Sequence, residues 1–174
     1  KLKSAVTKSQ QKIDQINQMH TLATKEIGKM GKRDLWFLGI GLYLGEGCKH
    51  NETTSIANSN PDIILIAIKW FKEICEVETK NFKARLHIYP DNDEKKSIEY
   101  WSLITGIPKN QFSKTQVDRR TNKSNKKIGR IPYGTMHLNV KSLGNKKYGK
   151  MLHRRIAGWS NAAIEKITSN AGVV

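Results

Sequence analysis

Residues 35–47 read Leu35-Trp36-Phe37-Leu38-Gly39-Ile40-Gly41-Leu42-Tyr43-Leu44-Gly45-Glu46-Gly47, a stretch of eleven uncharged residues closed by an acid between two glycines. A helix of this composition is apolar on every side and has to be buried, yet it is shorter than the roughly 20 residues a membrane span needs. Each glycine inside a helix costs about 1 kcal/mol relative to alanine, so something must offset Gly39, Gly41 and Gly45. Gly41 and Gly45 stand four apart, on one helix face, and small residues at that spacing allow two helix backbones to approach closely. Asp34 is the expected cap of this helix. Glu46 has two readings. It either reaches solvent at the helix end, or it is stabilised there by a divalent cation. Magnesium prefers oxygen ligands with few carboxylates, and beside a bound phosphate it is suited to phosphodiester hydrolysis.

Upstream, Leu2, Val6, Ser9, Ile13, Ile16, His20, Ala23, Ile27 and Met30 follow alternating steps of four and three, the seam of a coiled coil or helical hairpin. Residues 1–33 are therefore expected to form a helical arm, with eight basic residues against Asp14 and Glu26. It serves either to cross a phosphate backbone or dimerise, or to lie along the remainder with its charges solvated. Downstream, 34–174 is expected to be one domain. Thr53–Ala57 reads as a strand, and Asn60, Pro61 and Asp62 open a helix whose stripe is Ile64, Ala67, Ile68, Phe71, Ile74 and Cys75. Phe82–Tyr89 alternates, with Lys83, Arg85, His87 and Tyr89 on its polar side. Asp93 opens a helix with Ile98, Trp101, Leu103 and Ile104. Residues 111–117 and 134–140 read as further strands, the latter with His137 and Asn139 facing outward. A last helix starts near Lys146, with Gly158 expected to break it and Ser160 to recap a terminal turn. The fold class is α+β, a sheet with one polar face and helices over the other.

The charge says what the polar face meets. The 174 residues hold 31 Lys and Arg against 15 Asp and Glu, a formal charge of +16. So large an excess favours a polyanionic partner, most often nucleic acid, over a merely solubilising surface. It concentrates between Lys109 and Arg130, where eight basic residues are opposed by Asp118 alone. Lys114, Arg119, Arg120, Lys123, Lys126, Lys127 and Arg130 suit phosphates, and Gln116 and Asn139 suit base edges. The polar loop within that stretch is either solvated and irregular or an ordered hairpin tip. With Lys83, Arg85, His87, Tyr89 and His137 these residues make a candidate DNA-binding surface. No run is apolar and long enough for a membrane span, and the start lacks the apolar core of a secretory signal, so an intracellular, cytoplasmic setting is expected. Cys48 and Cys75 stand too far apart for a zinc pattern or a disulfide framework.

The nine residues Gly39–Gly47, GIGLYLGEG, resemble the signature of the LAGLIDADG family, which includes homing endonucleases, intein endonuclease domains, RNA maturases and regulators that no longer cut. The next strand and Asn58-Ser59-Asn60-Pro61-Asp62 opening an apolar helix extend the resemblance over about residues 34–157. It implies a saddle, a mixed or antiparallel sheet covered by helices. It implies that Gly41 and Gly45 pack the signature helix against a second one, and that Glu46, together with Gly45, forms the Mg2+ site. Asn58 and Lys141 are implied in the surrounding water network. A single signature implies a homodimer, each subunit giving one helix and one acid, that cuts both strands of a roughly palindromic duplex site. The chain departs from the pattern at Gly39 (commonly Leu), at Leu44 (often Asp), at Glu46 (Glu for Asp) and in the additional helix near 93–105. A family-derived regulator that binds DNA without cutting, or an RNA-binding maturase, fits the same charge.

Other constellations carry less. Asp91, Asp93 and Glu94 lack the glycine turn and downstream acid of a calcium loop and read as a turn and helix start. The five histidines show no metal spacing; His50, four residues after Glu46, is the one that could approach the acid, and that is the weaker of its two readings. No glycine-rich nucleotide loop and no nucleophile–base pairing occurs, so no small-molecule substrate is expected. The four tryptophans mostly fall at apolar helical positions and are expected in the core.

Overall fold

A computed structural model describes residues 2–120 and 129–170. It divides into two compact units, Lys1–Asp34 and Leu35–Val174. In the first, α1 (Leu2–Ile27) stops short of the expected residue 33. Gly28, at φ +60°, takes the left-handed conformation and bonds its N–H to the Thr24 carbonyl, which closes the last turn. On this helix Ile13, Ile16 and Ile27 of the heptad seam are exposed.

Helix α2 (Lys32–Glu46) begins three residues earlier than expected, because Asp34 is not its cap. Asp34 sits in the first turn and reaches back to the Gly31 N–H at 2.6 Å, leaving Gly31 as the capping residue. Nor is α2 buried all round. Only Gly39, Ile40 and Tyr43 are buried, while Leu38, Gly41, Leu44 and Gly45 are exposed. Gly39 makes the close approach inside the chain. A Cβ there would lie 2.0 Å from the Trp70 ring, so the missing side chain lets the indole rest on the α2 backbone.

The rest of the second unit is α+β. After α2 come β1 (Ser55–Asn58), α3 (Pro61–Glu73), β2 (Phe82–Ile88), α4 (Glu94–Thr105), β3 (Gln116–Val117), β4 (Thr135–Val140) and α5 (Lys150–Asn170). Helix α3 starts as its sequence dictates: the Asn60 side chain accepts from the Asp62 N–H, and Pro61 fills the first turn. Asp93 caps α4 and Gly106, at φ +68°, ends it. The buried positions of α4 are Ser97, Trp101 and Thr105, and Leu103 faces solvent instead of the core.

The sheet order is β1-β4-β2-β3. β4 pairs antiparallel with both β1 and β2, and β3 joins β2 in parallel. Strand alternation puts Ile56, Phe82, Ala84, Leu86, Ile88, Met136, Leu138 and Val140 into the core with Trp70, Phe71, Trp101, Leu152 and Ile156. β3 is far shorter than the expected strand over 111–117. Lys109–Gln111 turns as a 3-10 helix, Gln111 Nε2 donates to the Thr79 and Phe82 carbonyls, and Phe112 keeps a single bridge to Ala84. A side chain thus takes carbonyls that a longer strand would have met with backbone.

Gly158 does not break α5, and Ser160 does not recap a turn. The Ser160 hydroxyl donates to the Ile156 carbonyl within the helix. Trp159 packs edge-on against Trp36 and Trp70, at centroid distances of 5.4 and 6.4 Å, and the Arg155 guanidinium stands 4.6 Å from its ring. These aromatic contacts outweigh the cost of one glycine, about 1 kcal/mol.

Candidate nucleic-acid interface

The sheet register lines the polar side chains up in three cross-strand rows. Ser55, Asn139 and Lys83 form one; Ala57, His137 and Arg85 the next; Thr135, His87 and Gln116 the third. Side chains two apart along a strand share a face, so all three rows lie opposite the core. Adjacent strands are about 4.8 Å apart and rows about 7 Å apart, so the surface presents a small grid of donors. Arg85 and Gln116 are exposed, and Lys83, His87, His137 and Asn139 are half-covered by one another. Tyr89 falls just beyond β2, where its backbone closes a turn with Asn92. Lys114, Arg119 and Arg120 are exposed beside β3, Arg130 is exposed near Ser59, Pro61 and Tyr100 at the other side of the sheet, and Lys123, Lys126 and Lys127 lie outside the described residues.

Beside the third row sits a group that sequence reasoning passed over. Asp118, whose side chain is 4% exposed, accepts from Arg120 Nε at Oδ1 and from Arg120 Nη2 at Oδ2, each at 2.8 Å. The same Oδ2 lies 3.8 Å from His87 Nε2. The signal was present as the one acid in a run of basic residues, two positions before an arginine; the fold adds its burial.

Neighbouring positive charge leaves a mark on His137. Burial first, then Arg85 and His87, hold its pKa below the ordinary histidine value. Above the unfolded-state value near 6.5 both states are neutral, and the residue has no pH effect. As the pH falls below that value the unfolded chain takes up the proton first, so stability falls until the lowered folded-state pKa is passed. Urea unfolding at pH 7.5 and 5.5 is expected to show a smaller stability difference for His137→Asn than for the wild type. Equal differences would remove His137 from the account.

Glu46 is the last residue of α2 and is exposed. The turn after it is firmly held. Gly47 bonds the Tyr43 carbonyl at 2.9 Å and bridges Ile56, and a Cβ on Gly47 would lie 2.4 Å from that carbonyl oxygen. The Tyr43 hydroxyl, its pKa pushed up to about 12 chiefly by burial, donates to the Cys48 carbonyl. Glu52 ties the ensuing turn to α5 through Arg154 and Lys150. Glu46 itself makes no ion pair with a described residue, and no basic residue lies in the last turn of α2. The nearby Lys49 ammonium bonds the Gly47 carbonyl instead. A carboxylate at the negative end of a helix macrodipole, with no cation against it, is electrostatically short of one.

Gly41 and Gly45 are exposed, and a Cβ at either would meet nothing within 4 Å. Asn58 and Lys141 do not converge within the chain. Asn58 pairs with Met136, and its Oδ1 accepts from the Asn60 N–H; Lys141 comes after Val140, whose N–H bonds Thr54. Met136 and Val140 are four residues apart along β4, roughly 13 Å, so the two side chains do not share one water network in a single chain. By the Gly47–Ile56 bridge, Asn58 is the nearer of the two to Glu46. Asp91 accepts from the Gly129 N–H and Asp93 caps α4, as a turn and helix start require. Both cysteines are free. Among the described residues no group of three His, Cys, Asp or Glu side chains is placed to hold a metal, and no helix is long and apolar enough to cross a membrane.

A scan against protein-family models, a search of curated proteins and a search of solved structures each found no match for the chain.

Proposed function

We propose that the protein is a site-specific DNA endonuclease that works as a homodimer, its sheet acting as a saddle on the duplex, in the manner of the LAGLIDADG proteins that its signature resembles. The observation that carries this reading is the three-row grid of Lys83, Arg85, His87, Gln116, His137 and Asn139 on the sheet face opposite the core. Three strands span roughly 10 Å, and a B-form major groove is about 12 Å wide, so the β4-β2-β3 face that carries these residues matches the groove in width. Lys83 and Arg85, with Lys114, Arg119 and Arg130 at its margin, supply phosphate contacts, and Asn139 and Gln116 supply base-edge donors and acceptors.

The face of α2 bearing Leu38, Gly41, Leu44 and Gly45 supports dimerisation, since a second copy covers exposed leucines there and gains close backbone contact at the glycines. Pairing at that face brings two Glu46 carboxylates together at the symmetry axis. With backbone carbonyls, water and DNA phosphates the two Glu46 carboxylates would make an oxygen set that suits Mg2+, which would supply Lewis-acid activation of water and charge stabilisation at the leaving oxygen. One chain alone brings one carboxylate, and that favours as second reading a regulator that binds the duplex without cutting it.

The test is a selection on a randomised duplex library in Mg2+ and in Ca2+. The endonuclease reading expects one sequence to be enriched as bound molecules in Ca2+ and as cut ends in Mg2+. Bound sequences without cut ends in either ion leave the regulator. No enriched duplex, with retention of structured RNA at the same salt, replaces both with RNA binding.

A further inference from the structure

We propose that Arg120, held by the buried carboxylate of Asp118, reads a guanine in the duplex; this rests on the duplex-binding reading above and names one of its specificity determinants. A guanidinium carries five N–H donors in a rigid plane. Asp118 takes the pair along one side, the Nε–H and one Nη2–H, with one oxygen each at 2.8 Å. The pair at the tip, one N–H on Nη1 and the second on Nη2, points away from that carboxylate and has no acceptor among the described residues. Two parallel donors at that spacing match O6 and N7 of guanine in the major groove. Adenine offers an acceptor beside a donor at the same edge, so the fork discriminates between the two purines.

Three features favour a base edge over a phosphate as the target. Pairing with Asp118 cancels most of the charge of Arg120, so the residue adds little to the attraction for a phosphate, and a carboxylate placed nearby repels one. Arg119, the next residue back, is exposed and makes no ion pair with a described residue, so it is the better phosphate ligand of the two. The pair is also built in advance. Asp118 is anchored by its N–H to the Ile88 carbonyl, and its Oδ1 also accepts the Arg120 N–H at 3.2 Å. An arginine fixed before binding loses less side-chain freedom on contact. Its place agrees with its task. The Oδ2 that receives Nη2 lies 3.8 Å from His87 Nε2 in the third row.

The experiment measures duplex binding in Ca2+ by the full chain, on its selected site and on that site with each guanine replaced in turn by the other three bases. The wild type is expected to prefer guanine at one position of each half-site by about ten- to a hundredfold. Arg120→Lys keeps the charge but not the fork. It should cut that preference to about threefold or less while the salt dependence and the other positions hold. Asp118→Asn, which frees the fork without removing it, should reduce the same preference and no other. Arg120 is 61% exposed on its side chain, but its loss takes a partner from the buried Asp118 carboxylate, so the melting temperature of each variant is measured beside its binding and Arg120→Lys, which keeps a cation there, is the primary comparison. Guanine preference that survives in Arg120→Lys overturns the proposal. So does an Arg120→Ala chain that binds every sequence more weakly by one factor and with a shallower salt slope, the behaviour of a phosphate contact. A wild type that selects no duplex sequence overturns the duplex reading and this one together, whereas a wild type with a site but no role for Arg120 overturns this one alone.

Discussion

Gly39→Ala is expected to destabilise the chain while Gly41→Ala stabilises it, although the two glycines stand two residues apart in one helix. At Gly39 the new methyl would lie 2.0 Å from the Trp70 ring, an overlap that only a shift of a fully buried indole can relieve. Overpacking of this kind costs about 1–3 kcal/mol, more than the roughly 1 kcal/mol that alanine recovers in helix propensity. At Gly41 nothing lies within 4 Å, so alanine keeps the propensity gain of about 0.5–1 kcal/mol in the isolated chain. The order reverses for assembly. If two α2 helices pack at Gly41 and Gly45, then Gly41→Leu and Gly45→Leu force the backbones apart, and either variant should sediment as a folded monomer at concentrations where the wild type is a dimer. Urea unfolding below the dimerisation range checks the first half, and sedimentation equilibrium the second. A Gly41→Leu chain that stays dimeric moves the interface away from α2.

That contrast also marks how far the sequence could be read. The pattern of residues 35–47 pointed to a helix that closes near Gly47, and α2 does end at Glu46, but it starts three residues earlier than expected, is buried on one side only, and makes its close approach at Gly39 and not at Gly41 or Gly45. The pattern could not say which glycine faces the core. Periodicity is ambiguous in a helix apolar on every side, and only Trp70, contributed by α3, resolves the choice. Strands β2 and β4 were legible because alternation with a polar face has one solution. β3 was not, since the Gln111 side chain bonds where strand backbone would have done. Gly158 misleads for a different reason: its local cost points to a helix stop, and tertiary contacts of Trp159 override it. On the candidate surface, Lys83, Arg85, His87, His137 and Asn139 could be assigned to one face by counting in twos. The Asp118–Arg120 pair needed coordinates, because neither its burial nor its approach to His87 can be read from spacing.

Glu46→Gln is expected to reduce Mg2+-dependent duplex cleavage by about a thousandfold or more and to leave binding in Ca2+ within about threefold of the wild type. The substitution keeps shape and removes charge. Stabilisation by a metal that a carboxylate holds amounts to several kcal/mol at the transition state, and each 1.36 kcal/mol is a factor of ten in rate, so about 4 kcal/mol gives the thousandfold. Binding is spared because Glu46 lies on α2, outside the three rows of the sheet face, and because removing a negative charge near phosphates does not weaken their contact. A third readout comes from the helix itself. Glu46 is exposed at the negative end of α2 with no basic residue in that turn, so the neutral variant should melt no lower than the wild type, and slightly higher at low salt. The three measurements separate the alternatives. Loss of cutting with intact binding and an unchanged or raised melting temperature places the carboxylate at the metal. Equal cutting by both chains removes Glu46 from the chemistry. A wild type that binds one sequence and cuts nothing, with the variant binding equally well, makes the protein a DNA-reading module in which this acid no longer has a catalytic task.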